Sequence, residues 1–151
     1  MKQFAFPTLL LFIVPCLAFA VPAAKARTIT ITGNENMKYD TTTITAKWGE
    51  TLHVVLKAIG TMPKIAMMHD FVVLKPGIDA MTFVNATADD KPGTPLPPAL
   101  KAKVLASSPF AAGGETVEVT FKAPTAPGSY TYLCTFPGHF QSGMKGTLVV
   151  K

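Results

Sequence analysis

Short runs in which apolar and polar residues alternate recur along most of the chain. The run 116–122 alternates cleanly and places Val117, Val119 and Phe121 on one face. Runs of this kind, rich in Thr, Val, Ile and aromatic residues and bounded by Gly, Pro, Asn and Asp, are typical of β-strands. The pattern predicts strands at 27–32, 41–46, 51–57, 71–74, 116–122, 129–134 and 145–151. About eight strands in one chain predict an all-β sandwich.

One segment interrupts the alternation. Residues 78–87 carry Ala, Met and Phe at helix-like spacing, which predicts one short helix external to the sandwich. Residues 89–98 are dense in Pro and Gly and predict a loop. No repeat or linker divides the chain after its N-terminal region, so we expect one domain over residues 27–151.

The N-terminus has the pattern of a secretory signal peptide. Lys2 precedes an apolar run that ends in a small-x-small cleavage site at residues 18–20, and a second candidate site lies at 24–26. We therefore expect removal of residues 1–20, or of 1–26 at most. A membrane anchor is the alternative, but the run is broken by two prolines and is shorter than the roughly 20 apolar residues of a spanning helix. The expected location is periplasmic or secreted.

Charge and cysteine content narrow the function. The chain of 151 residues has a formal net charge of +5, with its lysines scattered. No basic cluster with interleaved aromatic residues occurs, so nucleic acid is not an expected partner. Of two cysteines, Cys16 leaves with the signal, so Cys134 remains without an internal partner in an oxidising compartment. A lone thiol there is a hazard unless something occupies it.

The segment from Cys134 to Met144 carries the candidate chemistry. It places a thiolate, an imidazole and a thioether in one loop, with the spacing Cys-x4-His-x4-Met and His139 in the middle. A second imidazole, His69, precedes the strand at 71–74. Two imidazoles, one thiolate and a thioether are the donor set of a trigonal His2Cys copper site with a long axial Met. These donors suit both Cu(I) and Cu(II).

The turn inside this loop also suits a metal site. Pro137-Gly138 bends the chain so that Cys134 and His139 can face one point. Phe136 keeps its backbone N–H, which is a candidate hydrogen-bond donor to the Cys134 sulfur. By contrast, His53 lies inside an alternating strand without ligand-like neighbours and is expected on a strand face.

These residues resemble a known family. The segment Cys134-Thr-Phe-Pro-Gly-His139, followed by Met144-Lys-Gly-Thr-Leu, resembles the copper loop and last strand of the azurin and auracyanin group of cupredoxins. Three upstream segments extend the resemblance over nearly all of 27–151: Gly33-Asn-Glu-Asn-Met37, Met62-Pro-Lys and Met68-His69-Asp70. The resemblance implies a Greek-key cupredoxin sandwich and one type 1 (blue) copper ion, bound by His69, Cys134, His139 and, axially, Met144.

The resemblance also implies a function without an enzymatic reaction or a small-molecule substrate. The protein is expected to shuttle single electrons between larger redox proteins, as a monomer. Partners are expected to dock weakly over His139, on an apolar patch that also contains Met37, Phe136 and Phe140. A periplasmic copper-trafficking protein of the same fold is the alternative function.

The chain departs from azurin in four respects. The loop has one residue more between its His and Met, a spacing closer to that of the auracyanins. Met68 replaces the glycine whose carbonyl faces copper, so the Met68 carbonyl is a possible weak contact. Asp70 replaces an asparagine that ties two loops together by hydrogen bonds. The azurin disulfide is missing.

Two other kinds of site fit the same residues less well. Cys134 and a histidine can form a thiol nucleophile pair, but no oxyanion donor or orienting third group is visible. A structural zinc site is possible, but such sites seldom use Met.

Overall fold

The computed structural model describes residues 25–88 and 93–151. The predicted signal peptide, residues 1–20, lies outside these ranges, as does most of the stretch up to the alternative cleavage site. Over the described residues, no helix is both long and apolar enough to cross a membrane.

The described residues form eleven strands and two short helices. The strands are β1 (Arg27–Asn34), β2 (Lys38–Tyr39), β3 (Thr43–Ala46), β4 (Thr51–Ala58), β5 (Met68–His69), β6 (Val72–Leu74), β7 (Val104–Ser107), β8 (Ala111–Ala112), β9 (Thr116–Lys122), β10 (Gly128–Leu133) and β11 (Lys145–Val150). The helices are α1 (Ala80–Thr87) and α2 (Pro98–Lys101).

Two sheets supply the main core. One has the order β2-β1-β4-β9 and the other β3-β11-β10-β6-β7, while β5 and β8 form a separate pair. Strands β1 and β4 are parallel, as are β3 and β11, and neither pair is adjacent in the chain. Alternate side chains of both sheets meet in one apolar cluster, with Leu56 on β4 and Leu148 on β11 as fully buried examples. The prediction of an all-β sandwich is confirmed.

A second apolar cluster lies on the outer face of the five-stranded sheet. Val72 and Leu74 point outward from β6 and pack with Phe83 of α1 and Leu100 of α2, whereas Val73 points into the main core. Because helices cover this face, β6 is buried on both sides and its sequence does not alternate. The helix predicted at 78–87 is present and begins two residues later, at Ala80. It lies outside the two sheets, as predicted, and packs on the outer face of one of them.

The local sequence accounts for the start of α1. The Asp79 side chain accepts a hydrogen bond from the Thr82 backbone N–H at 2.7 Å, which satisfies one of the free N–H groups of the first turn. Helix α2 and strand β7 were not predicted, because four residues are too few to show a helical period and a half-buried Leu105 blurs the alternation in β7. Of the loop predicted at 89–98, residues Gly93 to Pro97 contain neither helix nor strand, whereas Pro98 begins α2.

Three elements end beside one another and position the candidate site. Strand β10 ends just before Cys134, and β11 begins just after Met144. The two strands are antiparallel neighbours, so the loop from Cys134 to Met144 closes over one end of the sandwich. Strand β5 brings His69 to that same end.

Candidate metal centre

Three predicted ligands converge in the interior. The ligating atoms of His69, Cys134 and His139 all lie within 4.8 Å of one another, and all three residues are buried. The Nδ1 atoms of the two imidazoles are 3.3 Å apart, and His139 Nδ1 is 3.4 Å from Cys134 Sγ. Both rings therefore turn the same nitrogen towards one point beside the sulfur.

Backbone hydrogen bonds hold the loop in this shape. The Cys134 N–H donates to the Met144 carbonyl at 3.1 Å, and the Met144 N–H donates to the His139 carbonyl at 2.9 Å. Within the loop, the His139 N–H donates to the Phe136 carbonyl at 3.1 Å. Gly138 has φ of 84°, in the left-handed region that glycine adopts at little cost, so the turn before His139 is tight. The three loop ligands are thus positioned by the backbone itself.

Met144 completes the set from the side of β1. Its side chain is fully buried. A Cβ placed on Gly33 would lie 2.9 Å from Met144 Cε and 3.0 Å from His69 Cδ2. The thioether and the imidazole therefore both pack against the bare backbone of Gly33. The role of Gly33 was missed from the sequence, where it was only part of a family-like motif.

Asp70 links the two halves of the site. Its Oδ1 accepts a hydrogen bond from the Thr135 backbone N–H at 2.7 Å, and its Oδ2 accepts one from the Thr135 hydroxyl at 2.6 Å. The Tyr39 hydroxyl donates to the Asp70 carbonyl oxygen. Burial raises the pKa of Asp70 to about 6, although the hydrogen bonds from Thr135 act to lower it. The segment bearing His69 is thereby tied to the segment bearing Cys134.

Electrostatics around the sulfur favour occupation by a cation. Burial raises the pKa of the Cys134 thiol well above its usual value, and the neighbouring Asp70 carboxylate raises it further. The backbones of Asp70 and Phe136 act in the opposite direction and lower this pKa. Because a bound metal ion displaces the thiol proton, this buried group becomes a strong thiolate ligand when the cation is present. Phe136, whose backbone N–H the turn sequence predicts as a donor to the sulfur, is one of these two residues.

The two histidines are neutral at pH 7. Burial lowers the pKa of His69 to about 4. Burial, with a further contribution from His69, lowers the pKa of His139 to about 4. Neutral imidazoles are the metal-binding form. With one thiolate and one thioether, the donor set is softer than that of typical zinc sites and fits copper.

The Met68 carbonyl also faces this centre. Its oxygen lies 4.0 Å from Cys134 Sγ, and the Met68 side chain is buried. His53, by contrast, is remote from the site on the outer face of β4. Its Nε2 lies 3.0 Å from Glu118 Oε2 and its Nδ1 lies 3.4 Å from Thr28 Oγ1.

The structure buries three of the four residues predicted as a docking patch. His139 is only 1% exposed, Phe136 and Phe140 are also buried, and Met37 is half-buried. Phe136 packs against the His139 ring, with centroids 4.7 Å apart. Phe140 turns to the second apolar cluster, where Lys145 lies over its ring. The prediction that these side chains themselves form an exposed patch is wrong, because packing draws the aromatic rings inward.

Other apolar side chains are exposed near this end. Ile59, Met62 and Ile65 lie in the segment that leads into β5, and Ile65 is 86% exposed. Glu35 lies in the segment that follows Gly33. Its side chain accepts a hydrogen bond from the Met62 N–H at 2.7 Å and so holds the segment that carries these side chains. The sequence contains no sign that these three side chains, unlike those of the strands, remain in solvent. We call Ile59, Met62 and Ile65 the apolar ridge.

The chain is similar to known proteins in both sequence and structure. Residues 26–151 match the family described as copper binding proteins, plastocyanin/azurin family. Auracyanin-A of Chloroflexus aurantiacus is 38% identical over 117 residues, covering 77% of this chain and 68% of that protein. Azurin iso-2 of Methylomonas sp. strain J is 37% identical over 126 residues, covering 79% of this chain and 93% of that protein. The solved structure of auracyanin A, described as a "blue" copper protein, superposes with a TM-score of 0.72 and 37% identity over 84% of this chain and 100% of that one.

Proposed function

The chain belongs to the plastocyanin/azurin family of copper-binding proteins, and on that premise we propose that it shuttles single electrons between larger redox proteins. It is a blue-copper electron carrier and not an enzyme. One copper ion binds through His69, Cys134, His139 and Met144. We place the mature protein, after loss of residues 1–20, in the periplasm or outside the cell.

The observation that carries the proposal is the convergence of three buried ligands. His69, Cys134 and His139 place their ligating atoms within 4.8 Å of one another in a site shielded from water. When bound, copper supplies a one-electron couple between Cu(I) and Cu(II). The chain holds the donors in place through loop hydrogen bonds, so the geometry changes little between the two oxidation states. The backbones of Asp70 and Phe136 favour negative charge on the sulfur, which tunes its strength as a donor.

The docking surface in this proposal lies over His139. Pro137 and Gly138 are exposed directly beside that buried ring in the chain, and the apolar ridge lies on a neighbouring segment. The Lys38 side chain donates to the Ser142 carbonyl and joins the copper loop to the segment that contains Glu35. Because the copper loop is joined to the segment of Glu35, and Glu35 binds the Met62 N–H, we infer that the turn and Met62 belong to one docking face. A small apolar contact suits brief encounters, which are among the smallest protein interfaces.

Copper trafficking remains the competing function for this fold. Met62 and Met81 are each 43% exposed, but they lie on separate segments, before β5 and on α1. Proteins that hand over copper need accessible soft ligands at the ion, whereas the ligand Met144 and the nearby Met67 and Met68 are buried here. The burial of these methionines therefore favours retention of the ion over its transfer.

Repeated redox cycling in the presence of a modest Cu(I) chelator tests the proposal. The copper-loaded protein is reduced and reoxidised over many cycles while the blue absorption is recorded. A carrier keeps its absorption through all cycles. Progressive loss of colour to the chelator, at a rate set by the reduced state, would instead indicate a trafficking protein.

A further inference from the structure

The end of the sandwich opposite the copper ligands carries an exposed tryptophan. Trp48, the only tryptophan in the chain, is 66% exposed in the turn between β3 and β4. Its backbone N–H donates to the Lys151 carbonyl at 3.3 Å, which places the end of β11 beside it. A tryptophan so exposed in an otherwise well-packed domain is unusual, because its large ring gains much from burial.

Basic side chains surround this turn. Lys47 precedes Trp48, and the start of β1 is joined to the turn by an ion pair of 2.6 Å between Arg27 and Glu50. The Ala123 N–H donates to the Glu50 carbonyl at 2.8 Å, which brings the end of β9 to the same place. We call this end the Trp48 pole. Its charged residues are Lys25, Arg27, Lys47, Glu50, Lys122 and Lys151.

The Trp48 pole holds the excess positive charge of the domain. It carries five basic side chains and one acidic side chain, and all five basic residues are exposed. In the remainder of residues 25–151, basic and acidic residues are equal in number. The domain is therefore polarised, with its net charge concentrated around a single exposed aromatic ring.

The pole is far from the metal ligands. Gly128 at the start of β10 pairs with Val150 near the pole, and Cys134 follows the other end of the strand. At about 3.3 Å per residue, the six steps between Gly128 and Cys134 span about 20 Å. A redox partner on this pole would be poorly placed to exchange electrons with the copper, so the pole calls for another kind of occupant.

We propose that the Trp48 pole binds the surface of a bilayer that contains anionic lipid. Indole rings favour the headgroup level of a bilayer, and lysine and arginine side chains nearby are attracted to anionic headgroups. Among the described residues, the other exposed large apolar side chains are on the apolar ridge or on α1, so the pole lacks the large contiguous apolar patch that marks many protein contact sites. Bound in this way, the protein presents its copper loop away from the membrane, towards soluble partners.

The proposal concerns the folded domain alone and does not require copper.

Tryptophan fluorescence tests the proposal directly, since Trp48 is the only tryptophan in the sequence. The protein as isolated, in copper-loaded and metal-free forms, is titrated with vesicles of phosphatidylcholine alone or mixed equally with phosphatidylglycerol. We expect the emission to shift to shorter wavelength only with the anionic vesicles, and the shift to be reversed by salt. No shift with anionic vesicles would overturn the proposal, as would an equal shift with neutral ones.

Paired charge variants locate the surface. Lys47→Gln/Lys122→Gln should weaken sedimentation with anionic vesicles about tenfold or more. Lys57→Gln/Lys103→Gln removes the same charge elsewhere and should leave it nearly unchanged. Trp48→Ala should also weaken sedimentation while the visible spectrum of the copper-loaded protein stays the same. Equal losses for both double variants would mean that net charge alone drives binding, and unchanged binding of Trp48→Ala would mean that the ring does not insert; either result contradicts the proposal.

Discussion

Asp70 and Thr135 are joined by two hydrogen bonds, of 2.7 Å from the Thr135 N–H and 2.6 Å from its hydroxyl, to separate oxygens of one carboxylate. Each residue follows a copper ligand in the chain, Asp70 after His69 and Thr135 after Cys134. Both are buried, so the pair is shielded from competing water. The Asp70 carboxylate therefore joins the two ligand-bearing segments.

Removal of the two hydrogen bonds between Asp70 and Thr135 should destabilise the metal-free protein. Asp70→Ala leaves the Thr135 N–H and hydroxyl buried without an acceptor, and we expect a loss of about 1–3 kcal/mol in the free energy of unfolding. Urea titration of the metal-free protein measures this. Asp70→Asn keeps an acceptor for the N–H and should lose less, and Thr135→Val removes only the hydroxyl bond. An alanine variant as stable as the parent would show that the two segments are held by other contacts.

Gly33 should be sensitive to the smallest added side chain. In Gly33→Ala, the new Cβ would meet Met144 Cε and the His69 ring at 2.9 and 3.0 Å, so one of these side chains must move. We expect overpacking to cost about 1–3 kcal/mol in the metal-free protein and the visible bands of the copper form to shift. Thr30→Ala, an exposed position on the same strand, is the control. Identical spectra for the parent and both variants would refute a role for Gly33 in ligand placement.

Met144 should tune the reduction potential without holding the ion by itself. Met144→Leu removes a soft donor and leaves an apolar wall, which disfavours Cu(II), so the potential should rise. Met144→Gln offers a harder oxygen and should lower it. Voltammetry of the two variants decides the matter. Potentials that equal that of the parent within error would assign Met144 to core packing alone.

The apolar ridge should control encounters between copper proteins. Met62→Lys places a charge on the proposed docking face, so like-charge repulsion and desolvation should slow electron self-exchange about tenfold or more. Met81→Lys is a matched control, because both methionines are 43% exposed and Met81 lies on α1. Line broadening in NMR spectra of mixed oxidation states measures the rate. Equal slowing of self-exchange by both variants would show that the apolar ridge is not the docking face.

The strands and the ligand set were largely predictable from the sequence. The alternating runs at 51–57 and 116–122 reappear as β4 and β9 with nearly the same bounds, because one face of each strand is buried and the other is solvated. Three of the four ligands lie in the segment from Cys134 to Met144, so local spacing already brought them together. Only His69 needed long-range pairing to reach the site.

Burial of individual side chains was not predictable in the same way. Phe140 follows His139 directly, yet it packs in the cluster between α1 and the sheet, since the helix covers a face that a plain sandwich leaves open. Ile65 is as apolar as the strand residues but stays in solvent. Gly33 matters because it has no side chain. This role can be recognised only once the structure shows Met144 and His69 packed against it. These features depend on tertiary contacts that composition and period do not encode.

The ligation of copper by the Cys134 thiolate is the central claim, and the visible and electron-spin-resonance spectra of the Cu(II) protein test it most directly. The parent should show the intense blue absorption that arises from charge donated by a thiolate sulfur to Cu(II). Cys134→Ser keeps both histidines and Met144 but should bind Cu(II) weakly and without that colour. A Cys134→Ser protein that remains intensely blue would contradict the account.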